Sequence, residues 1–280
     1  MSGTLTLVPT PIGNLSDISP RCRQALEEAD FIAAEDTRVT LKLLNHLGIK
    51  KPLVSYYEHN KDFSGRRIVE RILAGENCAQ VSDAGTPAIS DPGEDLVRLC
   101  AESGITVTAV PGPCAAITAL SISGLPTGRF TFEGFLSTAK KSRAAHLNAL
   151  QTERRTMIFY EAPHKLTATL ADLAQAFGAD RRVALCRELT KLHEEVLRMT
   201  LREAAAYYSE QSPRGEYVLI VEGAPEEPED GVSLETALAR VAALAERGVS
   251  TKDAVKQAAK ETGVPKNVLY EAAVKGEAPL

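Results

Sequence analysis

Val81-Ser82-Asp83-Ala84-Gly85-Thr86-Pro87-Ala88-Ile89-Ser90-Asp91-Pro92-Gly93 is the stretch around which the chain organises. The apolar Cys78-Ala79-Gln80-Val81 before it reads as the end of a buried strand. Glu94 to Ser103 after it reads as a helix with Leu96, Val97, Leu99 and Cys100 on one side. A loop with two Gly, two Pro and two Asp at a strand's C-terminal end is turn chemistry. In an open α/β sheet it is also where ligands bind. Gly85 lets a backbone approach a ligand closely, Pro87 and Pro92 stiffen the path, and Asp83 can accept hydrogen bonds. Neither G-x-G-x-x-G nor G-x-x-x-x-G-K-[ST] occurs in the chain, so dinucleotide and nucleoside-triphosphate readings lose their main support.

Outward from this loop, strand and helix signals alternate. Thr4–Val8, Phe31–Ala34, Leu53–Ser55, Cys78–Val81 and Ile105–Val110 read as strands. Helices are expected from Pro20 to about Ala29 with Ser19 as N-cap, over Thr40–Leu47 closed by Gly48, over Ser64–Ala74, and over Glu94–Ser103. Short connections between alternating elements predict a five-stranded parallel sheet covered on both faces, with all strand-end loops on one edge. Ala115–Ser123 is a helix of small residues that opens a second α/β domain. Its strands are expected at Phe130–Gly134, Thr156–Tyr160, Val183–Arg187, Val196–Thr200 and Tyr217–Val221. The third and fourth of these lie too close for a crossover helix, so an antiparallel pair and a mixed sheet follow.

Residues 224–232 are acidic and proline-containing and read as a linker. Three short helices follow in 233–280, the last two with helix-turn-helix spacing around Gly263 and Pro265. That spacing suits a plain helical hairpin as well as a nucleic-acid reader. The expected domains are therefore 1–114, 115–223 and 233–280.

Composition bounds the rest. The 280 residues, 44% apolar and 25% charged, suit a globular protein of more than one domain. No segment approaches the roughly 20 apolar residues of a membrane span, and no basic-then-apolar leader is seen, so a cytoplasmic protein is expected. Five cysteines without a C-x-x-C pair read as buried apolar residues of a reducing compartment. Five histidines show no metal-ligand spacing. A net charge of −5 argues against general coating of nucleic acid but leaves room for local basic patches.

The strand-end loops Pro11-Ile12-Gly13-Asn14, Glu35-Asp36-Thr37-Arg38, Asp83 to Pro87 and Val110-Pro111-Gly112-Pro113 offer carbonyls, amides and carboxylates with little bulk. No lysine accompanies the glycines. Asp83 and Asp91 would repel a phosphate and favour a positive centre.

These loops, with Thr6–Ser19, Ala34–Thr40, Val110–Ala116, Phe159–Lys165, Arg187–Lys191 and Gly215–Gly223, resemble the tetrapyrrole-methylase superfamily. They are most similar to its ribosomal RNA branch, which methylates the ribose 2′-oxygen of a cytidine in the decoding region of 16S rRNA. The resemblance runs from residue 4 to about 223 and on into the C-terminal helices. It implies two α/β domains, S-adenosylmethionine in the cleft between them, a homodimer, and the small ribosomal subunit as partner. By motif it assigns cofactor contacts to Pro11, Asp83, Gly85, Thr86, Ile89, Ala115, Ala116, Tyr160, Leu189 and Glu216. The pigment-making members carry a Gly-Asp-Pro type loop and a different first loop, which favours the RNA reading here.

The implied reaction needs a base for a weakly acidic hydroxyl. Glu35, Asp36, Glu133, Glu188 and Lys191 are the candidates. An internal Asp36–Arg38 pair that merely shapes its loop is the competing reading of the second. Arg38 or Lys191 could instead hold RNA phosphate, as could Lys252, Lys256, Lys260 and Lys266. A precorrin-type methyltransferase and a non-enzymatic nucleic-acid adaptor are the alternative functions.

Overall fold

Five short strands, β1 (Thr4–Leu7), β2 (Phe31–Ala34), β3 (Leu53–Ser55), β4 (Cys78–Val81) and β5 (Thr106–Ala109), pair in parallel in the order β3-β2-β4-β1-β5. β2 and β4 are buried along their whole length because helices cover both faces. On one face α1 (Pro20–Glu28) and α2 (Thr37–Leu47) bring Cys22, Leu26, Leu43 and Leu44 against Val8, Ile32, Ala79 and Val81. On the other, α3 (Lys61–Leu73) and α4 (Glu94–Glu102) bring Ile68, Ile72, Leu96 and Cys100 against Leu5, Phe31 and Ala33. Each fully buried aliphatic side chain contributes about 1.5–3 kcal/mol.

The caps define where these helices start. Ser19 Oγ accepts the Cys22 N–H at 3.0 Å, and Pro20 takes the first helical position. α2 begins at Thr37, three residues before the expected Thr40. The physical reason is Asp36, whose carboxylate accepts the Arg38 N–H at 2.8 Å and so serves as the N-cap. α3 likewise starts early, at Lys61, whose ammonium reaches Glu58 at 2.8 Å and Asp95 at 2.9 Å.

The second sheet is mixed. β6 (Phe130–Phe135), β7 (Thr156–Glu161), β8 (Arg182–Arg187), β9 (Glu195–Thr200) and β10 (Tyr217–Val221) lie in the order β6-β7-β10-β8-β9. Only β6 and β7 run parallel; β8 and β9 form the antiparallel pair that their short connection requires. One face is covered by α7 (Pro163–Phe177) and α8 (Leu201–Glu210), with α6 (Lys140–Ala149) beside α7. On the other lies α5 (Ala115–Ile122), whose Ala116 and Ala119 allow close approach to Ile158, Ala184 and Cys186. Thus the helix that follows β5 in the chain packs on the second sheet.

The structure is a computed structural model and describes residues 2–225 and 233–275. Contacts divide the chain into two units, Met1–Ala224 and Pro225–Leu280, so both sheets belong to the first. Of the expected linker only Ala224 and Pro225 are described. Residues 226–232 lie outside the described residues, as do residues 276–280 of the expected helical domain. In the second unit α9 (Leu234–Glu246), α10 (Thr251–Thr262) and α11 (Lys266–Lys275) bury Ala237, Val241, Leu244, Val255, Ala258 and Leu269 together. Ser233 and Ser250 cap α9 and α10, and Gly263 ends α10 at φ +74. Among the described residues, no helix is long and apolar enough to cross a membrane.

Candidate functional site

The loops after β1, β4 and β5 are tied to one another by backbone and hydroxyl groups. Thr10 and Gly85 exchange N–H···O bonds of 3.0 Å, and the Thr10 hydroxyl donates to the Ser82 carbonyl at 3.1 Å. Thr86 donates to the Pro113 carbonyl at 2.9 Å, joining the opening loop to the Pro-Gly-Pro turn. Gly85 sits at φ +84, and a Cβ there would lie 3.2 Å from Ile12. Only glycine meets both conditions without strain. Beneath the loop, buried Gln80 donates to the Pro92 carbonyl at 2.9 Å.

The second sheet supplies the facing wall. Tyr160 on β7 packs edge-on against Phe132 and Phe135, with ring centroids 5.1 and 5.5 Å away. Its hydroxyl accepts the Ala116 N–H at 3.1 Å. The β8–β9 connection contributes Leu189, flanked by Glu188 and Thr190 in left-handed conformations at φ +51 and +66. Lys191 Nζ lies 2.9 Å from both Glu188 and Glu216, locking this strap to the start of β10. The first loop rests on the strap: a Cβ at Gly13 would lie 2.6 Å from the Lys191 side chain.

Between these walls is a cavity of about 430 Å³, of the size that holds a cofactor. Of the residues expected to hold the cofactor, Asp83, Gly85, Thr86, Ile89, Ala115, Tyr160, Leu189 and Glu216 line it. Pro11 and Ala116 do not. Pro11 lies between the Thr10 bridge and cavity-lining Ile12, and Ala116 is held through its amide by Tyr160. Of the base candidates Glu35 lines the cavity. Asp36 does not; Arg38 holds its carboxyl at about 2, at 2.7 Å. Lys191 and Glu188 are spent on each other just outside, and Glu133 pairs with His146 at 2.8 Å. Arg38 is exposed beside Asp36, and Lys252, Lys256 and Lys260 occupy exposed positions one turn apart on α10, with exposed Lys266 opening α11.

Asp91, which the loop chemistry marked as favouring a positive centre, lines the cavity, whereas Cys114, Phe135, Glu161, Cys186, Tyr217 and Val218 line it without having been marked by any motif. In a mixed sheet the end of β7 and the start of β10 fall on one edge, with Glu161 opposite Tyr217 and Cys186 opposite Val218. A rule built on parallel strand ends misses such positions.

The electrostatics are one-sided. Among the described residues no Lys or Arg lines the cavity, whereas Glu35, Asp83, Asp91, Glu161 and Glu216 do. Burial raises Glu35, opposed by its hydrogen bond from the Asp83 amide, and burial also raises Asp83. Asp91 is pushed up to about 7, first by burial and then by the charge of Glu35. Burial carries Tyr160 to about 12, so its phenol stays protonated. A site rich in carboxylates, with no Lys or Arg among the described lining residues and walled by aromatic rings, suits an adenine-bearing sulfonium better than a polyphosphate. Among the described residues no group of side chains is arranged to hold a metal.

Comparison with known proteins places residues 4–205 on the family described as Tetrapyrrole (Corrin/Porphyrin) Methylases, and 232–276 on the RsmI C-terminal HTH domain. The chain is 47% identical over 276 residues to the ribosomal RNA small subunit methyltransferase I of Synechocystis sp., covering 99% of each. It is 50% identical over 274 residues to the protein of the same name from Halalkalibacterium halodurans, covering 96% of this chain and 93% of the relative. In fold it is similar to the uroporphyrin-III C-methyltransferase of Thermus thermophilus, solved in complex with S-adenosylhomocysteine. The TM-score there is 0.53 at 17% identity, covering 79% of this chain and 97% of that one.

Proposed function

The chain belongs to the tetrapyrrole methylase family, whose methyltransferases use S-adenosylmethionine, and from that premise we propose that it methylates the ribose 2′-oxygen of a cytidine in the decoding region of 16S rRNA. One observation carries the cofactor assignment: a cavity of about 430 Å³ lined by Asp83, Gly85, Thr86, Ile89, Ala115, Tyr160, Leu189 and Glu216, with no Lys or Arg among its described lining residues. When bound, the cofactor supplies an electrophilic methyl group on a positively charged sulfur. The residues of the chain then have three tasks. The Gly85 and Thr86 backbone and the Ala115 end of α5 hold and orient it. Leu189, Phe135 and Tyr160 exclude water. The carboxylates favour the sulfonium while the reacting oxygen approaches in line, and such positioning supplies much of the rate.

The rRNA assignment is supported by the names of full-length relatives at 46–50% identity. It is also supported by the run Lys252, Lys256 and Lys260 on α10, a spacing that tracks a phosphate backbone. Within this reading the first unit works as two halves, 1–114 and 115–223, in a cytoplasmic homodimer.

The test is incubation with methyl-labelled S-adenosylmethionine and, in parallel, unmodified small ribosomal subunits, naked 16S rRNA, or a precorrin. Label on a cytidine 2′-oxygen of the subunit is expected. Label confined to the macrocycle, or on no substrate, would overturn the reading.

A further inference from the structure

We infer that Asp91 takes the proton from the attacking hydroxyl, an assignment that rests on the 2′-O-methylation reading above. The other carboxylates of the cavity already have structural work. Glu35 Oε2 accepts the Asp83 N–H at 3.4 Å, and Asp83 Oδ1 accepts the Asp36 N–H at 3.0 Å, so these two hold the ends of β2 and β4 together. Glu216 is bound by Lys191. Glu161 accepts from the Ala162 amide and the Thr169 hydroxyl. Asp91 lines the same cavity with neither a backbone N–H nor a cation bonded to its carboxylate among the described residues, and the nearby Ser82 hydroxyl donates to the Ala84 and Gly85 carbonyls at 3.4 Å each.

The backbone around Asp91 is unusually constrained. Ala88 and Ser90 stand at φ +67 and +62, a region that side chains other than glycine seldom adopt. Gly93 follows at φ +155, where a Cβ would lie 3.0 Å from Ala88 Cβ. Gln80, 1% exposed in the centre of the sheet, ties the segment down through Pro92. Strained backbone persists where surrounding structure over-determines it, and it clusters at reacting sites. Here the result is one carboxylate set at the cavity wall by a constrained backbone, with no backbone N–H or cation bonded to it among the described residues.

The groups that face Asp91 come from several elements. Glu35 follows β2, Ser82 and Asp83 follow β4, and Tyr160 lies on β7. Burial and the Glu35 and Asp83 charges raise its affinity for a proton, and Ser82 opposes them. In the step itself the 2′-oxygen bonds to the methyl carbon as the carbon–sulfur bond breaks. The bonding pair stays on sulfur as a neutral thioether, and the hydroxyl proton moves to the Asp91 carboxylate and then to water.

The test compares wild type, D91N and E35Q on the small subunit, with S-adenosylmethionine affinity measured separately by calorimetry. D91N is expected to lower kcat by about 10²–10⁴-fold, the usual contribution of a positioned base, with a far smaller loss of cofactor affinity from the one negative charge removed. Wild-type kcat/KM, which reports groups of the free enzyme, should rise with pH through a limb near 7, and E35Q should move that limb to lower pH by removing a neighbouring negative charge. An undiminished kcat in D91N, a fall in cofactor affinity that parallels the fall in kcat, or a limb unmoved in E35Q each overturns the assignment. Should wild type place its methyl elsewhere than a ribose oxygen, the 2′-O reading fails first, and product analysis of wild type alone reveals it.

Discussion

The Tyr160 hydroxyl accepts the Ala116 N–H at 3.1 Å, so a side chain of β7 caps the first turn of α5 at the wall of the cavity. Cys114, at the N-cap position, makes no side-chain cap hydrogen bond, and Tyr160 stands in for one. Y160F removes the acceptor and leaves a part-buried donor unpaired. Urea unfolding should show a loss of about 1 kcal/mol, the typical worth of such a bond. Unchanged stability would mean that solvent replaces the hydroxyl.

Gly85 stands at φ +84 beside Ile12, with its amide and carbonyl both bonded to Thr10. G85A should cost about 1–2 kcal/mol in stability from the left-handed backbone alone. It should also abolish calorimetrically detectable binding of S-adenosylmethionine, because the loop must shift to admit the methyl group. Retention of full affinity would contradict the placement of this loop at the cofactor.

Lys191 lies outside the cavity, with its ammonium between Glu188 and Glu216. K191M leaves those two carboxylates facing each other and frees the strap that carries Leu189. The expected result is weaker cofactor binding with kcat at saturation kept within about tenfold, the pattern of lost ground-state binding. A collapse of kcat at unchanged cofactor affinity would return Lys191 to the chemistry.

A carboxyl raised to about 7 in the folded protein, as Asp91 is, binds a proton there at pH values where the unfolded chain has released it. Folding stability should therefore increase as pH falls from about 7 toward the unfolded carboxylate value near 4. D91N should flatten that dependence, in thermal or urea unfolding between pH 5 and 8. Asp36, held at about 2 by Arg38, acts in the opposite sense: its contribution is present above the unfolded value and disappears as pH falls through about 2.

Exchange of Lys252, Lys256 and Lys260 for glutamine should weaken binding to the small subunit. The slope of log K against log salt should fall by about two to three if all three meet phosphate, since each contact contributes about 0.7–0.9. Cofactor affinity should not change. An unaltered slope would remove α10 from the RNA interface.

Much of this protein could be read from its residues. Local signals are strong where one residue does one job: Pro20 after Ser19, Gly48 after a helix, and the run of apolar residues at Cys78–Val81 each marked an element that the structure contains. Motif order identified the family and brought eight cofactor residues to one cavity; Asp83, Gly85, Thr86 and Ile89 meet there because loops at the ends of parallel strands share an edge, whereas Tyr160, Leu189 and Glu216 reach it from the mixed sheet. The start of α2 escaped notice because Asp36 looks alike as a cap and as a catalytic acid until its hydrogen bonds are seen. The roles of Glu133, Glu188 and Lys191 depended on partners 3 to 28 residues away. Asp91 is the clearest case. Sequence placed it in a turn-rich loop after a strand, and that was correct. Its burial beside Glu35, 56 positions earlier in the chain, arises only when β2 and β4 pair, and desolvation and charge act through space rather than along the chain.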